Sequence, residues 1–232
     1  MLHLVQMFLC AFAVVTGFAS TELPISVLLI TGGHDFERER FFEMMDALEN
    51  IQYVEVKHPK ANDHFVGEDI EKYDLILFYD MVQEITADQK QGLERWVDKG
   101  IGLVFLHHSI VSYQNWDYYR GLVGGRYLEN DSGYQHDVAF RAHIMEKGHP
   151  IVKGLSNFEV YDEIYKDVDI SDNVQPLIST DHPESMPLLA WCQQLSPSTR
   201  TVYIQPGHGP EVYALPAYRK LLQQAIQWAA GR

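Results

Sequence analysis

Histidine follows an apolar, strand-like run at three places: His34 after residues 25–30, the pair His107-His108 after residues 102–106, and His208 after residues 201–204. Near neutral pH an imidazole can move a proton or ligate a metal. A carboxylate pair, Asp162-Glu163, lies in Tyr161-Asp162-Glu163-Ile164-Tyr165. Neutral imidazole with carboxylate is the donor mix of zinc and similar divalent ions, and the same groups serve acid–base catalysis. Each residue also has a plainer reading. A lone histidine is usually a surface or satisfied core group, and an acidic pair in an acidic chain is usually a solvated stretch. The argument for a site is collective: if the three preceding strands are parallel, their ends lie at one edge of the sheet, where α/β proteins bind ligands.

On this reading His34, His107 and His208 are candidate metal ligands, with zinc the favoured ion. His107, His108, Asp162 and Glu163 are candidates for the chemistry itself. Neighbouring side chains of an extended chain point to opposite faces, so one of the adjacent histidines faces the pocket and the other packs. His107 is the expected pocket residue. Asp35 could bond a sugar hydroxyl or cap the following helix, and His136 could be a pocket or a loop residue. Trp116 and Tyr165 could stack on a sugar ring or belong to the core. Cys192 reads as a small buried apolar residue.

The elements that must position these groups alternate. Strands are expected at residues 25–30, 52–56, 74–80 and 102–106, with helices over 37–48 and 86–99 and a polar loop over 58–68. Thr86 with Gln89 three residues later forms a capping box. A short helix over 116–122 closes at Gly124-Gly125. Further strands are expected at 138–144, 174–179, 187–191 and 201–204, and a closing helix over 216–230. The alternation predicts a flavodoxin-like, doubly wound, mainly parallel α/β sheet, with a small inserted antiparallel element within residues 130–200.

The 232 residues are 46% hydrophobic, enough for a full core in one domain over residues 20–232. The formal net charge of −14 argues against nucleic acid and anionic lipid as partners. Residues 1–19 carry no Lys, Arg, Asp or Glu and read as a signal peptide, which makes the mature protein secreted or periplasmic. Cys10 would leave with this leader, and Cys192 would be the one thiol that stays. No G-x-G-x-x-G follows a strand and no Walker loop, H-E-x-x-H or G-x-S-x-G is present, so no nucleotide cofactor is expected.

Gly32-Gly33-His34-Asp35, Gly102–Leu106 with His107-His108, Gly124-Gly125-Arg126 with His136, Asp162-Glu163-Ile164-Tyr165, Gly207-His208 and Trp228-Ala229 together resemble the ThuA-like (trehalose utilisation) family, in order over residues 25–230. The resemblance implies a class I glutamine amidotransferase-like fold and a role in sugar metabolism, on keto-sugars or glycosides, with metal binding. In amidotransferases of this fold a cysteine nucleophile occupies the turn after the strand that here ends in His107-His108. A cysteine-dependent glutamine hydrolysis is therefore not expected. The expected function is an extracytoplasmic enzyme of lyase, isomerase or hydratase type acting on a small carbohydrate, and the alternative is a non-catalytic sugar-binding protein with the same pocket. Nothing in the sequence sets an oligomeric state.

Overall fold

A computed structural model describes residues 23–67 and 69–232. The expected leader and Cys10 lie outside the described residues. In chain order the elements are β1 (Ile25–Gly32), α1 (Arg38–Asp46), β2 (Ile51–Lys57), α2 (Asp63–Val66), β3 (Leu75–Asp80), α3 (Ala87–Asp98), β4 (Gly102–Leu106), α4 (Asp117–Val123), β5 (Gly125–Arg126), β6 (Gly133–Ile144), β7 (Phe158–Lys166), β8 (Asp169–Ile170), β9 (Gln175–Ser179), β10 (Leu188–Gln194), β11 (Arg200–Ile204), α5 (Pro210–Tyr213) and α6 (Pro216–Ala229).

Nine strands form one sheet in the order β2-β1-β3-β4-β11-β10-β9-β6-β7. The first five are parallel, in the flavodoxin-like order. Successive residues of these strands alternate between two cores. Leu29, Leu77, Val104 and Val202 pack against α1 and α6, whereas Leu28, Ile76, Leu103 and Phe105 pack against α3 and α4. Burial on both faces is why these strands read as unbroken apolar runs. Leu221, Leu222, Ala225, Ile226 and Ala229 are the buried face of α6, as its periodicity predicts. The Thr86–Gln89 capping box has both its halves, with Thr86 Oγ1 accepting from Gln89 N and Gln89 Oε1 from Thr86 N.

Two expectations change. The stretch expected as a loop over 58–68 contains α2, seated on α3 where Gly92 lets the helices touch: a Cβ on Gly92 would lie 2.0 Å from the Phe65 carbonyl oxygen. Short polar helices of this kind are held by tertiary packing and leave little periodicity to read. The antiparallel part is also not a small insert. β10, β9, β6 and β7 continue the same sheet beyond β11. Only the end of β6 pairs with β9, through His143 and Ile144, while most of β6 pairs with β7. The β6–β7 pairing shifts register between Gln135 and Val138, where Asp137 has φ 59°. Such a bulge bends a hairpin, and β7 is carried back over the carboxyl ends of the parallel strands. No described helix is long and apolar enough to cross a membrane.

Candidate functional site

The parallel strands end level: Gly32 pairs with Asp80, and Ile204 with Leu106. The turns that follow therefore emerge side by side, which brings His34, His107, His108 and His208 together. After Leu106 the chain does not stay extended. His107 adopts φ 48° and opens a 3-10 turn, His107–Val111. A non-glycine residue in this region costs about 1–2 kcal/mol, and such strain gathers at functional sites. The turn breaks strand alternation, so the expectation that one histidine faces the site while the other packs is corrected: both imidazoles belong to the cluster, at different depths.

His107 is the deep one. Its Nδ1 lies 2.8 Å from the Gln205 carbonyl oxygen and must donate to it. With Nδ1–H given to Gln205, Nε2 donates to Glu163 when the ring is protonated, and accepts from the Tyr165 hydroxyl, 3.2 Å away, when it is neutral. The same Nε2 lies 3.1 Å from Glu163 Oε2 and 3.3 Å from His208 Nδ1, and His208 Nδ1 is 2.7 Å from that carboxylate oxygen. Burial pushes the Glu163 carboxyl up, but hydrogen bonds with His107 and His208 outweigh it and hold the group well below the usual carboxylate range. The hydrogen bond with Glu163 in turn raises the His208 imidazole, against burial.

His108, not His107, lines the cavity of about 220 Å³ at the mouth of the site, with His34, His136, Tyr127, Tyr134 and Tyr165 around it and Glu163 at its floor. Its ring stacks on His34 at 4.7 Å and lies 4.5 Å from Tyr79. Burial first, then the neighbouring His107 and His34, push its pKa well down, so His108 is neutral at pH 7. Its buried ring nitrogens make no well-formed hydrogen bond with a side chain among the described residues, and the Tyr79 backbone is the polar group near them.

The remaining candidates separate. His136 stands half-exposed at the mouth, its Nδ1 3.8 Å from Glu163 Oε2 and its ring 4.7 Å from His208. Tyr165 is buried, and its ring stacks on His107 at 5.1 Å as well as edging the cavity. Asp162 is a backbone anchor, and burial raises its carboxyl above the usual range. Its carboxylate accepts from Gly207 N at 2.6 Å and His208 N at 3.1 Å, holding the turn that carries His208. Asp162→Asn is expected to lower stability by about 2 kcal/mol, because the amide puts an N–H against one of those donors. The midpoint of urea unfolding measures it, and an unchanged midpoint would remove this role.

Trp116 is no part of the site. It is 8% exposed and packs between Tyr118 and Tyr119 in the core beneath α3 and α4. Aromatic spacing alone does not distinguish a stacking platform from core. Asp35 is exposed and borders a neighbouring cleft, not the histidine cavity. It does not cap α1 either, whose N-cap is Glu37 without a side-chain bond. The metal-ligand set changes as well. Among the described residues, the group with ligand atoms all within 4.8 Å of one another is His107, Glu163 and His208. His34 falls outside it, its Nδ1 bonded to the Asp35 carbonyl oxygen and its ring laid on His108.

Sequence reasoning passed over Gln205, whose Nε2 donates to the Glu163 carbonyl oxygen at 2.7 Å while its own carbonyl fixes His107. It passed over Tyr127 and Tyr134, and the buried pair of His58 Nε2 and Asp80 Oδ2, 3.0 Å apart. Asp80 and Gln205 had a usable signal: each is the first polar group at the end of an apolar strand, the rule that selected His107. Cys192 is buried in β10 with its thiol pushed up to about 12 by burial, away from the turn after β4.

Fold and site together define an α/β protein with a flavodoxin-like parallel core, in which imidazoles carried by the turns after β4 and β11 meet a carboxylate of β7. Residues 26–229 match the family model for ThuA, trehalose utilisation, and the chain belongs to that family. The fold is shared with a ThuA-like protein from Parabacteroides merdae ATCC 43184 (17% identity, 89% of this chain and 90% of that one, TM-score 0.75). It is shared too with a ThuA-like protein from Bacteroides uniformis ATCC 8492 (17% identity, 94% and 95%, TM-score 0.70). A glutamine amidotransferase from Thermotoga maritima is more distant (10% identity, 90% and 99%, TM-score 0.53). No curated protein matches the chain significantly.

Proposed function

We propose that this protein is an extracytoplasmic enzyme of sugar metabolism that acts on a keto-sugar or glycoside at the histidine cavity. The observation that carries the reading is the triangle of His107 Nε2, Glu163 Oε2 and His208 Nδ1, with edges of 2.7, 3.1 and 3.3 Å. Ligands about 2.1 Å from a tetrahedral ion lie about 3.4 Å apart, so the three atoms fit a small divalent ion with little movement. The donor chemistry fits as well: Gln205 fixes the His107 tautomer whose Nε2 lone pair is free of a ring proton, and a carbonyl holding the far nitrogen is the usual support of a metal-bound histidine. Zinc is the ion proposed from this donor set. When bound, such an ion supplies Lewis acidity that polarises a sugar carbonyl and acidifies the neighbouring C–H, which suits isomerisation, hydration or elimination.

The chain's own groups do the rest. Neutral His108 forms the inner wall of the cavity beside His34 and Tyr165. His136, half-exposed beside Glu163, stands at the mouth where a ligand enters. Asp162 keeps His208 in place by accepting from its backbone N–H. Residues 1–19 support the extracytoplasmic placement through their leader-like composition.

The test is metal analysis of purified protein together with turnover of 3-keto-glycosides. The expected result is one equivalent of divalent ion per chain and turnover that a chelator abolishes. Metal-free protein whose His107→Ala variant keeps full turnover overturns the reading. Sugar binding indifferent to chelator and to Glu163→Gln, with no turnover, identifies a binding protein instead.

A further inference from the structure

The histidine cavity, about 220 Å³, is smaller than the ~300–1,000 Å³ of typical ligand sites. A cleft of about 540 Å³ lies beside it. The two share their borders: His34 and Met81 line the cavity, and the adjacent Gly33 and Val82 line the cleft. Gly33 presses against the second segment so closely that a Cβ would lie 1.9 Å from the Met81 carbonyl oxygen, so the partition is one layer of backbone.

The cleft has features of a built site. Its floor includes His58, whose side chain is 6% exposed and whose Nε2 is bonded to Asp80 at 3.0 Å. Asp80 is fully buried, its Oδ2 engaged by His58 and its Oδ1 without a partner among the described residues. A buried carboxylate that orients an imidazole is costly for stability and common where the ring must meet a ligand in one tautomer. With Nε2–H given to Asp80, the neutral ring presents Nδ1 as an acceptor. Around it stand apolar Pro59, Val82 and Ile85 and polar Glu84 and Gln89. A sugar ring asks for this mixture, apolar surface for its C–H face and polar groups for its hydroxyls.

We infer that the cleft is a second subsite, taking the hydroxylated ring across the glycosidic bond from the one held at the histidines, with His58 accepting a hydrogen bond from one of its hydroxyls and Asp80 as the positioning residue behind His58. This deepens the sugar reading of the histidine cavity and rests on it. The chemical class of ligand is thereby a glycoside of two rings, not a free monosaccharide.

Calorimetry on the full chain tests it, with a methyl 3-keto-glucoside as the one-ring probe and a 3-keto-disaccharide as the two-ring probe. The disaccharide is expected to bind about 10-fold tighter, the size of one added hydrogen bond with its apolar contact. His58→Ala and Asp80→Asn should remove that advantage and leave one-ring binding within about 2-fold. Ile85→Trp, at a half-exposed position of the cleft wall, should do the same by filling the cleft, and it stands if the buried variants fail to fold. Equal affinities for the two probes, or an Ile85→Trp variant that keeps the disaccharide advantage or weakens both probes alike, overturns the second subsite alone. Binding of neither probe overturns the sugar reading of the histidine cavity and the second subsite together.

Discussion

Glu163→Ala is expected to release the divalent ion, with affinity falling roughly 100-fold or more, since even partners behind a metal ligand are worth about 10–100-fold. Glu163 touches both imidazoles of the triangle, at 3.1 and 2.7 Å, so its loss removes one ligand and the charge that holds the other two. His107→Ala should have the same effect, because it also frees Tyr165 and the Gln205 carbonyl from their shared partner. Equilibrium dialysis with zinc followed by elemental analysis reads the result, and a thermal scan checks that the variants fold. Asp35→Ala is the control: the residue is exposed and outside the cavity, so its variant should retain the ion. A Glu163→Ala protein that binds as tightly as wild type would refute the ligand set.

Gly33→Ala is the second large effect, and it falls on stability. Gly33 has φ 83°, a left-handed conformation that costs an L side chain about 1–2 kcal/mol. The added Cβ would also lie 1.9 Å from the Met81 carbonyl oxygen and 2.8 Å from Val82 Cγ1. Backbone must move to admit it, and overpacking of this kind costs about 1–3 kcal/mol more. A total loss of about 2–5 kcal/mol is expected, from the sum of these two costs. The same shift moves His34 off His108, while His107, Glu163 and His208 stand on other segments. Folded Gly33→Ala protein should therefore have a much lower urea midpoint yet keep one equivalent of metal. A midpoint unchanged from wild type would show that the β1 turn is softer than its contacts imply.

Both predictions draw on features of unequal visibility in the sequence. Gly32-Gly33 after an apolar run announces a turn with unusual backbone angles, and the run itself announces a strand buried on both faces. Glu163 was visible as a carboxylate but not as the partner of His107 and His208. It lies in β7, at the far end of the sheet from β2, and reaches His107 only because the bulged β6–β7 hairpin turns back over the parallel strands. Nothing local in Tyr161-Asp162-Glu163 records that path. Trp116 failed in the other direction, since an aromatic beside a short helix looks the same whether it faces a ligand or, as here, Tyr118 and Tyr119.

The sequence by itself determined the order of strands and helices, the parallel core and the edge at which histidines would gather. Those follow from periodicity, capping and the level ends of parallel strands, all properties of short stretches. Tertiary structure alone decided which of the gathered groups form one site. The left-handed angle at His107 put both adjacent imidazoles in the cluster, the returning hairpin set Glu163 in place of His34 beside His107 and His208, and two backbone N–H groups claimed Asp162. The last two choices depend on contacts between residues far apart in the chain, His107 with Glu163 at 3.1 Å and Gly207 with Asp162 at 2.6 Å, which side-chain pattern does not encode.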